Sequence, residues 1–204
     1  MKIIAIGRNY AEHAKEMKSE VPTEPVFFMK PETCLIRKNR PFFYPDFSQD
    51  IHHEVELVLR INRVGKNIAT RFAHKYYDEI GIGIDFTARD VQAELKKKGL
   101  PWEKAKAFDG AAPLSDTFLP KDTFKNLGNI SFHLDVNDRT VQKGNTKDLL
   151  FTFDELISYV SRFVTLKKGD LIFTGTPEGV GPVQKGDRLQ AYLGDQNLLD
   201  FKVI

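Results

Sequence analysis

Hydrophobic and polar positions along the 204-residue chain change period several times, and the changes predict many strands and few helices. "KIIAIG" reads as a short strand ending at Gly7, and the polar "NYAEHAKEMKS" after it as a short helix. "EVPTEPVFFMKP" returns as loop, then strand. "DIHHEVELVLRINR" is apolar enough for one long strand, and "GIGIDF" for a shorter one. Between them, "IATRFAHKYYDEI" sets Ala69, Phe72, Ala73, Tyr76 and Ile80 on one stripe, which predicts a helix over 68–80. Thr87 with Asp90 forms an N-cap signature for a helix through Lys98, which Gly99 and Pro101 stop.

The second half reads as mostly β. "NISFHLDVNDRTVQKG" alternates about the turn "NDR" as a hairpin does. Thr152 and Glu155 cap a helix with Leu156, Val160, Phe163 and Val164 on its apolar face. "KKGDLIFTG" and "QKGDRLQAYLG" each pass from a Lys-Gly-Asp turn into a strand, and "NLLDFKVI" is the last. Strands without regularly alternating helices predict an α+β fold on a largely antiparallel or mixed sheet, and exclude a doubly wound nucleotide fold. No repeat and no Pro/Gly/Ser linker divides the chain, so residues 1–204 read as one domain.

One strand contains an anomaly. Glu54 and Glu56 lie two apart in an apolar run, so alternation points both side chains the same way. At about 5 Å and an effective dielectric of about 20, two carboxylates repel by roughly 3 kcal/mol. A held proton, a Lys or Arg, or a metal ion must offset this. Asp85, at a strand-to-helix junction, is a third acid placed where sites often form. Together they make a hard oxygen set suited to Mg²⁺ or Mn²⁺, or alternatively a set of ion-pair partners. His52, on the same strand face, is a fourth ligand, a supporting partner or a solvent-facing histidine.

Other residues gain meaning only in company. His13 and Glu16, three apart, can touch on a helix, and a carboxylate raises the basicity of an imidazole. Without such a task they are a solvated face. Arg89 and Gln92 form a similar pair, and Arg89 can grip a carboxylate bidentately. "FTGTPEGVGPV" offers amides and hydroxyls to an anion but is also explained as a turn.

A formal charge of +2 with no basic stripe argues against a nucleic-acid partner. Cys34, the only cysteine, excludes an internal disulfide and a thiolate zinc cluster. With an opening apolar run too short for a signal or a membrane span, the expectation is a soluble cytoplasmic protein.

In order, "GRNYAEHAKEM", "FFMKP", "HHEVEL", "GIDFTARDVQ", "KKKGLPWEKAKAFD" and "SYVSRFVTLKKGDLIFTGTPEGVGPV" resemble the fumarylacetoacetate hydrolase family, in its compact acylpyruvase and oxaloacetate decarboxylase branch. The resemblance implies a β-roll-like mixed fold, a homodimer and one Mg²⁺ or Mn²⁺ held by Glu54, Glu56 and Asp85. It places a lid-helix dyad on His13 and Glu16, within an N-terminal part spanning 1–50. It places substrate-holding residues on Lys30, Arg89, Gln92, Lys106 and Thr176, with Lys106 also catalytic, and leaves Arg8 and Asn9 without a role. The implied activity is cleavage of the C3–C4 bond of 2-oxo acids through a metal-stabilised pyruvate enolate, by acylpyruvate hydrolysis or oxaloacetate decarboxylation. An isomerase, decarboxylase or fumarylpyruvate hydrolase of aromatic catabolism is the alternative, and a silent metal-binding protein on the same fold is a second.

Overall fold

The computed structural model describes residues 1–16 and 20–204, so the last three residues of the expected first helix lie outside the described residues. Along the chain run β1 (Ile3–Gly7), α1 (Ala11–Glu16), β2 (Val26–Lys30), β3 (Leu35–Ile36), β4 (Ile51–His53) and β5 (Val55–Ile61). Then come α2 (Thr70–Ala73), β6 (Tyr77–Ile84), β7 (Thr87–Ala88), α3 (Arg89–Lys97), α4 (Glu103–Lys106), β8 (Ala112–Pro113) and β9 (Leu119–Pro120). The chain continues through β10 (Ser131–Val136), β11 (Arg139–Asn145), α5 (Phe153–Phe163), β12 (Leu171–Phe173), β13 (Gly181–Pro182), β14 (Arg188–Leu193) and β15 (Gln196–Lys202). This is the expected α+β architecture.

A six-stranded sheet in the order β2-β1-β12-β5-β6-β9 forms the centre, with β1 and β12 parallel and its other neighbours antiparallel. A four-stranded antiparallel sheet, β11-β10-β14-β15, packs against β5 and β6. Both faces of β5 are therefore covered, which is why Val55, Leu57, Val58 and Leu59 are all buried. The β10–β11 hairpin turns through Asn137 and Asp138, both at positive φ, the conformation a two-residue hairpin loop requires. The Lys-Gly-Asp turns recur as expected: Asp170 accepts from Lys2 N and Lys167 N, and Asp187 accepts from Gln184 N. Thr152 and Glu155 form a reciprocal capping box on α5. The buried face of that helix is Leu156, Ile157 and Val160, while Phe163, expected there, is exposed.

Three expectations fail locally. The helix over 68–80 is only the short α2; from Tyr77 the chain is β6, paired with β5 on one side and β9 on the other. Pairing with two distant strands outweighs the local stripe. Thr87 does not cap α3, because it pairs with His52 in β4; Asp90 instead accepts from Ser48 Oγ and the Gln49 amide. The long strand is broken at Glu54, where the chain leaves the three-stranded sheet β13-β4-β7 and enters the central one.

Candidate active site at the Glu54 strand break

The break puts Glu54 at the seam between two sheets. Its carbonyl accepts from Asp85 N at 2.8 Å, so Asp85 is held opposite it, and Glu56 follows opposite Gly83 in the β5–β6 ladder. Ligand-type oxygens of Glu54, Glu56 and Asp85 lie within 4.8 Å of one another, and all three residues are buried. The alternation that placed both glutamates on one side survives the break.

Cations crowd this acid cluster. Lys106, from α4, bridges Glu54 Oε2 at 2.7 Å and Asp85 Oδ2 at 2.9 Å. Lys30, at the end of β2, lies 2.6 Å from Asp85 Oδ1 and donates to the carbonyls of Lys106 and Ala111. Arg89 gives Nη2 to Glu54 Oε1 at 2.6 Å and Nη1 to Gln92 Oε1 at 2.9 Å. Glu56 has no cationic partner among the described residues; its Oε2 accepts from Gly175 N at 2.7 Å. Gly175 reaches this point at φ +103°, with Asn9 2.7 Å from where a Cβ would stand. Asn9 thereby gains the structural role its sequence did not reveal: its amide clamps Phe151 and Thr174, fixing the loop that presents Gly175.

The electrostatics follow this partnering. Burial works to raise Glu54, but Lys106 and Arg89 outweigh it and hold the carboxyl well below the usual range. Burial, with Asp85 and Glu54 adding to it, pushes Glu56 well above the ordinary carboxyl value. Burial works to lower Lys106, yet Asp85 and Glu54 reverse the effect and keep it charged. Three carboxyl groups in contact, with the pKa of Glu56 raised by burial and by its two acidic neighbours, make a hard oxygen donor set that fits a divalent cation.

A cavity of about 40 Å³ opens onto the cluster, lined by His13, Glu54, Glu56, Asp85, Arg89, Gln92, Lys106 and Thr176. That is room for a few waters rather than a four-carbon acid. Eight of the ten expected site residues thus share one wall. Lys30 lies beneath it with no exposed side-chain surface. Glu16 sits behind His13, its Oε2 3.3 Å from His13 Nδ1, and accepts from Gly179 N at 3.1 Å. This contact seats α1 on the Gly179 loop.

His52 does not join the acid cluster: its Nε2 is 3.0 Å from Asp50 Oδ1, on the side where β4 pairs with β7. Of the alternatives left open for His52, the structure shows a half-buried ring bonded to Asp50, outside the acid cluster. Arg8, Phe28, Lys96 and Trp102 also line the cavity. Arg8 has φ 60°, an unusual backbone that turns the chain at the rim. All four stand in stretches quoted above, but their approach to the cavity is tertiary, and sequence spacing assigns none of them a role.

Comparison with known proteins agrees with this architecture. Residues 2–203 match the family described as fumarylacetoacetate (FAA) hydrolase C-terminal. An oxaloacetate tautomerase of Escherichia coli (strain K12) is 46% identical over 189 residues, covering 92% of this chain and 86% of that protein. A mitochondrial oxaloacetate decarboxylase of Dictyostelium discoideum is 46% identical over 186 residues, covering 91% of this chain and 85% of the relative. The crystal structure of fumarylpyruvate hydrolase from Pseudomonas aeruginosa in complex with Mn²⁺ and pyruvate superposes with a TM-score of 0.94 at 34% identity. It covers 100% of this chain and 89% of its own. With a match along nearly its whole length, and with relatives this similar, the chain belongs to the fumarylacetoacetate hydrolase family of enzymes.

Proposed function

We propose that this protein is a divalent-metal-dependent enzyme that cleaves the C3–C4 bond of small 2-oxo acids, with oxaloacetate the first substrate to test. The observation that carries the reading is the buried contact of Glu54, Glu56 and Asp85 with Glu56 left uncompensated by any described cation. These three residues would hold Mg²⁺ or Mn²⁺. When bound, such an ion supplies Lewis-acid stabilisation of the charge that gathers on the 2-oxo oxygen as the bond breaks.

Charge arithmetic favours an anionic substrate. Three carboxylates face three cations, Lys30, Lys106 and Arg89, so a divalent ion leaves an excess that suits a dianionic acid. Arg8 and Lys96 at the rim add to it. Thr176 and Gln92 would hold the carboxylate end, while Lys106 and Arg89 orient the acid cluster and the substrate together. Lys30 supports Asp85 from beneath. Glu16 fixes the proton on His13 Nδ1 and leaves Nε2 as the basic nitrogen. In acylpyruvate hydrolysis that nitrogen takes the proton from the attacking water; in decarboxylation CO₂ departs and no water is needed.

A second reading, tautomerisation of oxaloacetate, is favoured by the name of the Escherichia coli relative. It moves a proton between C3 and the 2-oxygen without breaking C3–C4, and it uses the same enolate charge. The structural relative from Pseudomonas keeps fumarylpyruvate among the substrates to be tried. We also read residues 1–204 as one catalytic domain, because Ile3 pairs with Leu171 across the chain. Assembly as a homodimer in a reducing, cytoplasmic setting completes the proposal; the reduced Cys34 and the family resemblance support it. No described helix is long and apolar enough to cross a membrane.

The deciding experiment measures pyruvate release from oxaloacetate, acetylpyruvate and fumarylpyruvate, and the loss of enol absorbance from oxaloacetate, each with Mg²⁺ and with EDTA. Enol loss without pyruvate establishes the tautomerase. Silence on every substrate overturns the enzymatic reading, and full activity in EDTA overturns the metal.

A further inference from the structure

Gln142 lies in the β10–β11 hairpin stretch, where the sequence assigns it no role, yet it is the only buried residue of β11. Its side-chain oxygen accepts from Val55 N at 3.0 Å and lies 2.9 Å from His53 Nδ1. Its nitrogen donates to Thr176 Oγ1 at 2.9 Å and to the Pro177 carbonyl at 3.0 Å. All four hydrogen-bonding positions of the amide are thereby used. Its orientation is not open to a flip, because the Val55 amide can only donate and the Pro177 carbonyl can only accept.

Two consequences follow from this fixed polarity. His53 must carry its proton on Nδ1 in order to donate to Gln142. Thr176 Oγ1 accepts a hydrogen bond from Gln142 Nε2, so its own hydroxyl hydrogen is free to point elsewhere. Thr176 lies on the cavity wall with the acid cluster. A buried hydroxyl that accepts one hydrogen bond from the protein keeps its own hydrogen to donate, and an anion entering the cavity can take only that donor.

We infer that Gln142 is a positioning residue that sets Thr176 Oγ1 as a hydrogen-bond donor toward the carboxylate of a bound 2-oxo acid. The inference rests on the proposed function, and it assigns to β11 of the second sheet a part in substrate binding. Gln142 also ties Thr176 to the Val55 amide, one residue beyond Glu54, so a single side chain joins the two halves of the site.

The test uses oxalate as the probe, titrated by calorimetry into the Mg²⁺-loaded protein. Gln142→Glu keeps the shape but turns an acceptor toward Thr176, drawing its hydroxyl hydrogen away from the cavity. Oxalate affinity should fall by about tenfold or more, the worth of one hydrogen bond to a charged group. In the Thr176→Val background the same change should cost less than about twofold, because the hydroxyl it acts through is gone. Equal losses in both backgrounds, or none in either, overturn the inference. Should Gln142→Glu not fold, Gln142→Met serves, since it leaves the hydroxyl to turn to the Pro177 carbonyl. Independently of any variant, nitrogen NMR of the labelled wild-type protein reads the His53 tautomer; a proton on Nε2 alone overturns the amide orientation and the inference with it. Failure of the wild-type protein to bind oxalate overturns the proposed function as well. Failure of the Gln142 role alone leaves wild-type affinity intact.

Discussion

Glu56 offers the sharpest quantitative test. Buried beside Asp85 and Glu54, with one backbone amide for support, it keeps its proton well above the ordinary carboxyl value of 4.5. Between 4.5 and its raised value, the native state binds this proton and the unfolded chain does not. The contribution to stability is therefore complete below the unfolded value and is lost as pH rises through the folded one. The slope is about 1.36 kcal/mol per pH unit for one proton, or roughly 3–5 °C in melting temperature per unit for a chain of this size. His52 and His53, lowered by burial, act in the opposite sense below their usual 6.5. The informative quantity is thus the wild-type slope minus that of Glu56→Gln. A divalent ion bound by these acids must displace the proton, so its affinity should gain about tenfold per pH unit across the same window. About one proton should be released per ion. Calorimetric Mg²⁺ titrations between about pH 5 and 8, in two buffers of different ionisation enthalpy, measure both quantities. A pH-independent affinity without proton release refutes the assignment of a held proton to Glu56.

Glu54→Gln and Asp85→Asn should each abolish turnover and weaken Mg²⁺ binding in calorimetry. Asp85→Asn also strands the buried Lys30, so melts in EDTA should show a loss of about 3–5 kcal/mol; Glu54→Gln strands the less buried Arg89 and should cost less. His13→Ala and Glu16→Ala should slow acetylpyruvate hydrolysis by ~10²–10⁴-fold, the usual worth of a general base, and oxaloacetate decarboxylation by less once the free-Mg²⁺ background is subtracted. Equal falls in both assays would mean that the pair only seats α1. Thr152→Ala removes the capping box of α5 and should cost about 1 kcal/mol, lowering the melting temperature by about 2–4 °C with activity unchanged.

The features legible in the sequence are those written within a few residues. The capping box of Thr152 and Glu155, the Asn137–Asp138 turn and the placing of Glu54 with Glu56 each depend on a spacing of three residues or fewer. What stayed hidden depends on partners far along the chain. Ile80 closes a helical stripe, but β5 and β9 claim it for a strand. Asp90 looks like a capping partner of Thr87, but Ser48 reaches it from 42 positions away. Gln142 is the clearest case. Alternation around Val141 gives it no special place, and its partners Val55 and His53 stand 87 and 89 positions earlier.

The strand break explains why a protein would tolerate so much buried charge in one place. A continuous β4–β5 strand would keep His52 level with the two glutamates and leave both carboxylates in one sheet. By changing sheets at Glu54, the chain brings Asp85 opposite the break and admits Arg89 from one side and Lys106 from another. Each charge in the cluster then has a partner, while Glu56 has none among the described residues and holds its proton instead; breaking any pair is expensive because the remaining charge cannot reach water. The three cations thus keep the acids folded and close together, while the one uncompensated acid keeps the cluster receptive to a further cation. A site saturated by its own lysines would gain stability and lose the capacity to bind an ion. In this protein the gap at Glu56 is where stability has been left incomplete, and that incompleteness is what the binding of a divalent ion would use.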